Sequence, residues 1–237
     1  MPGFLQGALA LVIYFALAAS AAFLARVLIT IPDEVFRKIL HCILLGSLMV
    51  FVGAFDTWWH AAAVAVIFAV VVYPILAWFE RFRSFSKLTT ERRKGELKES
   101  LLLVFGMFAV VVTVAWGILG DRFLVIASVY AWGFGDAAAA LVGKKFGRHS
   151  VPLPFADRRK SVEGSTAMFV VSLGSTVVVL LLRGGLCPAG YIVVSVVTAL
   201  VSTFAELCSK DGRDTVICPL SAMAVLIPLI ALFGDAV

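Results

Sequence analysis

Eight long apolar runs, separated by short stretches that carry nearly all of the charge, leave this chain one solvent to fold in. They cover approximately residues 4–29, 39–55, 58–79, 101–119, 123–142, 165–182, 191–208 and 216–233. A bilayer's hydrocarbon core is crossed by about 20 apolar residues in helical form. Inside it every backbone polar group must be satisfied within the protein, which helices do by themselves. The runs therefore predict an all-α fold, a polytopic bundle of about eight transmembrane helices. With 62% apolar and 15% charged residues, the composition excludes both a soluble globular chain and a disordered one. The first run lacks a basic leader and is long enough to span, so it reads as a membrane helix rather than a secretory signal. Cys42, Cys187, Cys208 and Cys218 have no metal-like spacing and read as small packing residues.

Charge sets the expected orientation. Arg37 and Lys38 follow the first run; Arg81, Arg83, Lys87, Arg92, Arg93, Lys94 and Lys98 follow the third; Lys144, Lys145, Arg148, Arg158, Arg159 and Lys160 follow the fifth; Lys210 and Arg213 follow the seventh. That places 17 of the 20 basic residues on one side, with Arg26 near it and only Arg122 and Arg183 opposite. By the positive-inside rule those loops face the cytoplasm and both termini lie on the other side, which requires an even number of spans. The net charge of +5 is thus a topology signal, and nucleic acid is not an expected partner.

Ionisable residues within or beside the spans are the candidates for function, because a charged side chain at the centre of a span costs about 2.5–3.5 kcal/mol even on lenient scales. Asp136 lies in an alanine- and glycine-rich run, and Asp136, Ala140 and Lys144 fall on one helical face, carboxylate and ammonium about 12 Å apart along the axis. Small residues there allow neighbouring backbones to approach closely. Gly143 and Gly147 bracket Lys144 and Lys145, without the order of a Walker motif. Lys160-Ser161-Val162-Glu163-Gly164 reads as a helix start with Ser161 as its cap and Glu163 in the first turn, a place that favours anions. Ser195, Thr198, Ser202, Glu206 and Ser209 recur every three or four residues and must face the bundle interior, with Lys210 available to Glu206 one turn on. Asp214 follows in a tight turn. Glu34, Arg37 and His41 share a stripe at the entry to the second span, beside Lys38. The segment 80–100 reads as an amphipathic connector at the membrane surface. Hard oxygen ligands suit Mg²⁺, and the lysines and arginines suit phosphates.

Taken together, Glu34-x-x-Arg37-Lys38-x-x-His41, Gly135-Asp136-x-x-Ala139-x-x-x-Gly143-Lys144-x-Phe146-Gly147, Lys160-Ser161-x-Glu163-Gly164, and Glu206 followed by Asp214 and Pro219 resemble the family of membrane lipid-alcohol kinases that includes dolichol kinase, phytol kinase and CTP-dependent diacylglycerol kinase. The chain departs from it at Asp214-Thr215, where the family usually carries Asp-Asn. The resemblance implies a single transmembrane catalytic domain over 1–237. Its reaction would move the γ-phosphoryl group of a nucleoside triphosphate, commonly CTP, to the hydroxyl of an isoprenoid alcohol or diacylglycerol, at a site facing the cytoplasm. Phosphoryl transfer needs positioning, bridged phosphates and charge neutralisation more than covalent chemistry. The expected roles follow. Asp136, Glu163, Glu206 and Asp214 hold Mg²⁺, while Lys38, Lys144, Lys145, Arg148, Lys160 and Ser161 bind the nucleotide. Arg37 or His41 positions or deprotonates the lipid hydroxyl, with Asp136 as an alternative base and Glu163 in the catalytic set. A CTP:phosphatidate cytidylyltransferase and a proton- or cation-coupled transporter are the competing readings. The cytidylyltransferase uses the same nucleotide at its α-phosphorus, but its long Lys-Arg, Lys-Asp and His-Gly-Gly run is absent here. The transporter reading expects acids near mid-membrane rather than beside the basic loops.

Overall fold

The computed structural model describes residues 2–81, 95–152, 160–210 and 212–234. Of the basic loops, Arg83, Lys87, Arg92, Arg93, Lys94, Arg158 and Arg159 lie outside the described residues, as does most of the connector expected over 80–100. The helices are α1 (Pro2–Leu28), α2 (Asp33–Gly53), α3 (Trp58–Phe79), α4 (Glu96–Val111) with a π-helical continuation (Val112–Ile118), α5 (Arg122–Phe146), α6 (Val162–Arg183), α7 (Pro188–Cys208) and α8 (Asp214–Phe233). Counting α4 and its continuation as one, eight helices among the described residues are long and apolar enough to cross a membrane, in agreement with the eight runs.

Where charge lies at a helix end, the helix outruns the apolar run by several residues. α2 begins at Asp33 rather than 39, α4 at Glu96 rather than 101, and α6 at Val162 rather than 165, while α5 continues past 142 to Phe146. Hydropathy marks the thickness of hydrocarbon, whereas a helix continues until its backbone is capped or broken. Pro32, Gly95 at φ 88° and Ser161 precede the three starts, and Gly147 follows the late end. The added turns carry charge where the helix dipole favours it: Asp33 and Glu34, Glu96 and Glu99, and Glu163 in first turns, Lys144 and Lys145 in a last turn.

The chain forms two compact units, Met1–Ile118 and Leu119–Val237. In the first, α1 packs on α2 and α3, and α3 packs on α4 and its π-helical continuation. Its core is aromatic. Phe105 lies 4.8 Å from Phe68, 5.7 Å from Phe108 and 5.8 Å from Phe51, ring centre to ring centre. Such offset and edge contacts add about 0.5–1.5 kcal/mol each beyond area burial. Ion pairs made by Arg37 and Lys98 tie the polar helix ends together. Arg37 of α2 reaches Glu34 on its own helix at 3.2 Å and Glu96 of α4 at 3.1 Å. Lys98 of α4 meets the buried Glu80 at 2.7 Å and lies over the Tyr73 ring. Lys38 and His41, half-buried, follow on α2.

The second unit is packed by small residues instead. α5 lies against α6, α7 and α8, and α7 lies against α6 and α8. A Cβ on Gly164 of α6 would stand 2.9 Å from the Ala139 carbonyl oxygen and 3.3 Å from Gly143 Cα, so α5 and α6 cross at a distance only glycine permits. Further along the same contact, hydroxyls on α6 replace lipid-facing hydrogen bonds: Ser172 donates to the Ala131 carbonyl, and Ser175 to that of Tyr130 at 3.2 Å. At the Asp121 end the α5 cap side chain accepts from the Leu124 amide at 3.0 Å and pairs with Arg183, the last residue of α6, at 2.6 Å. At the other end Ser161 caps α6, accepting from the Gly164 amide at 3.1 Å. The polar stripe of α7 faces inward as expected, with Ser195, Thr198, Ser202, Glu206 and Ser209 all buried.

Candidate functional site

The second unit gathers its charges at the end of the bundle where α5 finishes and α6 begins. Lys160, immediately before the Ser161 cap, sends its ammonium across to the C-terminus of α7. There it meets the Glu206 carboxylate at 3.0 Å, the Glu206 carbonyl, and the Ser209 carbonyl at 3.0 Å. An ammonium has three N–H donors, and these three acceptors use them. Two of the acceptors are backbone carbonyls at the end of α7, that of Glu206 also accepting the Ser209 amide at 3.0 Å, so the lysine also serves as a C-terminal cap. Both side chains are largely withdrawn from solvent, 18% and 11% exposed. Ser209 closes the same turn by donating to the Ala205 carbonyl at 2.7 Å.

Two further carboxylates share this neighbourhood. Asp136, half-buried on α5, and Asp214, the first residue of α8, both act electrostatically on Glu206. The buried Cys218 thiol, one turn beyond Asp214, lies within the fields of Asp136, Glu206, Asp214 and Lys160 together. Asp214 is brought in by the tight turn between α7 and α8, where Gly212 adopts φ 78°, a left-handed conformation that other residues adopt at a cost. Asp136, Glu206 and Asp214, from three helices, thus share one electrostatic neighbourhood. The partner of Glu206 is Lys160, 46 residues earlier, while its helical neighbour Lys210 is exposed.

Glu163 is held elsewhere. Its Oε1 accepts from His149 Nδ1 at 2.7 Å and its Oε2 from the His149 backbone amide at 3.4 Å. The loop that carries His149 is fastened to the start of α6 by a short antiparallel bridge between Ser150 and Ser161. In that bridge the Val162 amide donates to the His149 carbonyl at 2.9 Å and the Val151 amide to that of Lys160 at 3.2 Å. Lys144, Lys145 and Arg148 are exposed around the end of α5, Lys145 lying over the Phe146 ring. Arg37, Lys38 and His41 belong to the first unit. Among the described residues no three His, Cys, Asp or Glu side chains form a ready-made ion cage. Carboxylate oxygens of the kind Asp136, Glu206 and Asp214 carry are hard ligands of the type that suits a divalent ion, and the Lys160 ammonium meets the Glu206 carboxylate at 3.0 Å.

Sequence reasoning missed two residues of this region, His149 and Cys218. His149 lies in a loop and meets its partner 14 positions away, a separation that no helical spacing announces. Cys218, read as a packing residue, is a free, fully buried thiol; only its place one turn after Asp214 hinted at the site.

Eight helices long and apolar enough to span a bilayer among the described residues define the chain as a multi-pass membrane protein. The comparison with known proteins names the group. Over 241 aligned residues the chain is 32% identical to a protein of Synechocystis sp. named phytol kinase, and the alignment covers 92% of each chain. The chain belongs to the phytol kinase family of membrane lipid-alcohol kinases. No protein-family model and no solved structure matches it.

Proposed function

We propose that this protein transfers the γ-phosphoryl group of a nucleoside triphosphate, CTP by family resemblance, to the hydroxyl of an isoprenoid alcohol of the phytol or polyprenol type. The observation that carries the proposal is the convergence of Asp136, Glu206 and Asp214 about Lys160 within the second unit. In-line phosphoryl transfer asks the protein chiefly for fixed charge and alignment. Lys160, already anchored at the α7 terminus, stands ready to neutralise charge on a transferred phosphoryl group. Lys144, Lys145 and Arg148, exposed at the adjoining end of α5, bind the rest of the polyphosphate. Mg²⁺ would be held by Asp136, Glu206 and Asp214, and when bound it supplies charge neutralisation along the phosphates. In this reading Glu163, whose carboxylate meets His149 at 2.7 Å, stands outside the metal set. The excess of basic residues on this side of the membrane supports a cytoplasmic orientation for the site.

The test is transfer of label by the purified protein, given Mg²⁺ and CTP labelled at either the α or the γ phosphorus, with phytol, longer polyprenols, diacylglycerol and phosphatidate as acceptors. Gamma label appearing in a lipid monophosphate is the expected result. Alpha label in a nucleotide-linked lipid would establish cytidylyl transfer instead, and no label in any lipid would remove the kinase reading.

A further inference from the structure

The His149–Glu163 pair has the form of a carboxylate–imidazole dyad, and its loop runs beside Lys160 of the charge cluster, the Val151 amide donating to the Lys160 carbonyl at 3.2 Å. An ionised carboxylate can only accept hydrogen bonds, so the 2.7 Å contact places a hydrogen on His149 Nδ1. The opposite ring nitrogen, Nε2, is thereby left as the proton-accepting edge. The pair is built into the fold on both sides. Glu163 is fixed in the first turn of a capped helix. The His149 backbone is clamped by the Val162 amide on its carbonyl and by Glu163 on its own amide. The ring itself stays 76% exposed, at the residue directly after Arg148 in the basic run that closes α5. A surface histidine in an ordinary loop has no need of a carboxylate that grips both its ring and its backbone.

We propose that His149 is the proton acceptor for the lipid hydroxyl and that Glu163 is its positioning residue, an assignment that rests on the phosphoryl-transfer reading above. In the step it serves, the alcohol oxygen forms a bond to the γ-phosphorus as its proton passes to His149 Nε2. The bond from that phosphorus to the bridging oxygen breaks, and the nucleoside diphosphate leaves with the electron pair. Glu163 keeps the ring in the receiving tautomer and offsets the imidazolium charge that forms, the division of labour seen wherever a carboxylate backs a histidine base.

The proposal is tested with the full-length protein in neutral-lipid nanodiscs. His149→Ala should lower kcat by about 100-fold, within the range for loss of a general base. Binding of a non-hydrolysable CTP analogue should stay within about twofold, because no phosphate contact is lost. Added imidazole should restore about tenfold of the rate, since the exposed site can admit a free ring. Glu163→Gln should lower kcat to a similar degree at unchanged affinity for Mn²⁺ and nucleotide. The double variant should be no slower than His149→Ala alone, as expected of residues acting in series. In ¹⁵N spectra the wild-type ring should show one tautomer and the Glu163→Gln ring a mixture. His149→Ala turning over at the wild-type rate, or a slowed variant that imidazole does not revive, overturns the base. Glu163→Gln losing Mn²⁺ affinity while His149→Ala keeps it overturns the positioning role and returns Glu163 to the metal. If the wild type moves no γ label to lipid, the phosphoryl-transfer reading has failed and this assignment falls with it, a result distinct from the others because no variant is needed to see it.

Discussion

Each half of the molecule holds a withdrawn lysine–glutamate pair, and the two invite comparison. Lys98 and Glu80 lie 2.7 Å apart with side chains 20% and 3% exposed; Lys160 and Glu206 lie 3.0 Å apart at 18% and 11%. By distance and burial they are nearly equivalent. Their surroundings differ. Lys98 sits over the Tyr73 ring in a unit whose core is phenylalanine. Lys160 also takes two backbone carbonyls, and Asp136 and Asp214 converge on its partner. A buried ion pair is weak evidence for function, since desolvation consumes most of the Coulombic gain and any helix bundle can carry one as a strut. The second pair is distinguished by Asp136 and Asp214, carboxylates of two other helices that act on Glu206, and acids carried by apolar spans are the residues expected to serve function.

If that contrast is right, the largest effect belongs to Asp136→Asn. We expect turnover to fall at least about 1000-fold, roughly 4 kcal/mol of transition-state stabilisation, while the protein still inserts and unfolds at close to the wild-type temperature. A variant with near-normal turnover would place the chemistry elsewhere. Next come the two lysines. Lys98→Met and Lys160→Met each leave a buried carboxylate without its ammonium, and each should lower stability by roughly 2–4 kcal/mol, below the full penalty because the sites are not completely dry. Pairing each with Glu80→Gln or Glu206→Gln should recover part of it. Only Lys160→Met should also lose turnover by about 100-fold when rates are expressed per folded molecule. Equal activity losses in the two variants would erase the distinction. The smallest effects test packing. Gly164→Ala forces a methyl against the Ala139 carbonyl and should cost about 1–3 kcal/mol in unfolding measurements. Gly106→Ala in the first unit meets open space and should be neutral or stabilise by about 0.5–1 kcal/mol.

What could be read in advance was whatever the bilayer makes costly. The spans, the inward polar stripe of α7, and Asp136 and Glu206 as residues of interest all follow from the energetics of polar groups in hydrocarbon, which a single sequence displays. The apolar runs begin several residues after the helices at Asp33 and Glu96, because charged first turns lower hydropathy while extending the helix. The start of α6, by contrast, was legible from Ser161 as cap and Glu163 in the first turn. Partners were less legible still. Nothing local distinguishes Lys160 from Lys210 as the mate of Glu206, and the adjacent candidate is the exposed one. Glu163, whose type and position suit a metal, has a partner that no spacing announces, a histidine across a loop. Such pairings depend on how a loop returns to its helix, which composition and periodicity do not encode.

The central claim is that Asp136, Glu206 and Asp214 form one cation site with Lys160 at its edge. Electron paramagnetic resonance of Mn²⁺ with a CTP analogue, titrated into wild type and the three single acid-to-amide variants, tests it most directly. The account predicts one tight Mn²⁺–nucleotide site in the wild type and at least about tenfold weaker binding in Asp136→Asn, Glu206→Gln and Asp214→Asn alike. Three variants that bind Mn²⁺ and nucleotide as the wild type does would contradict it.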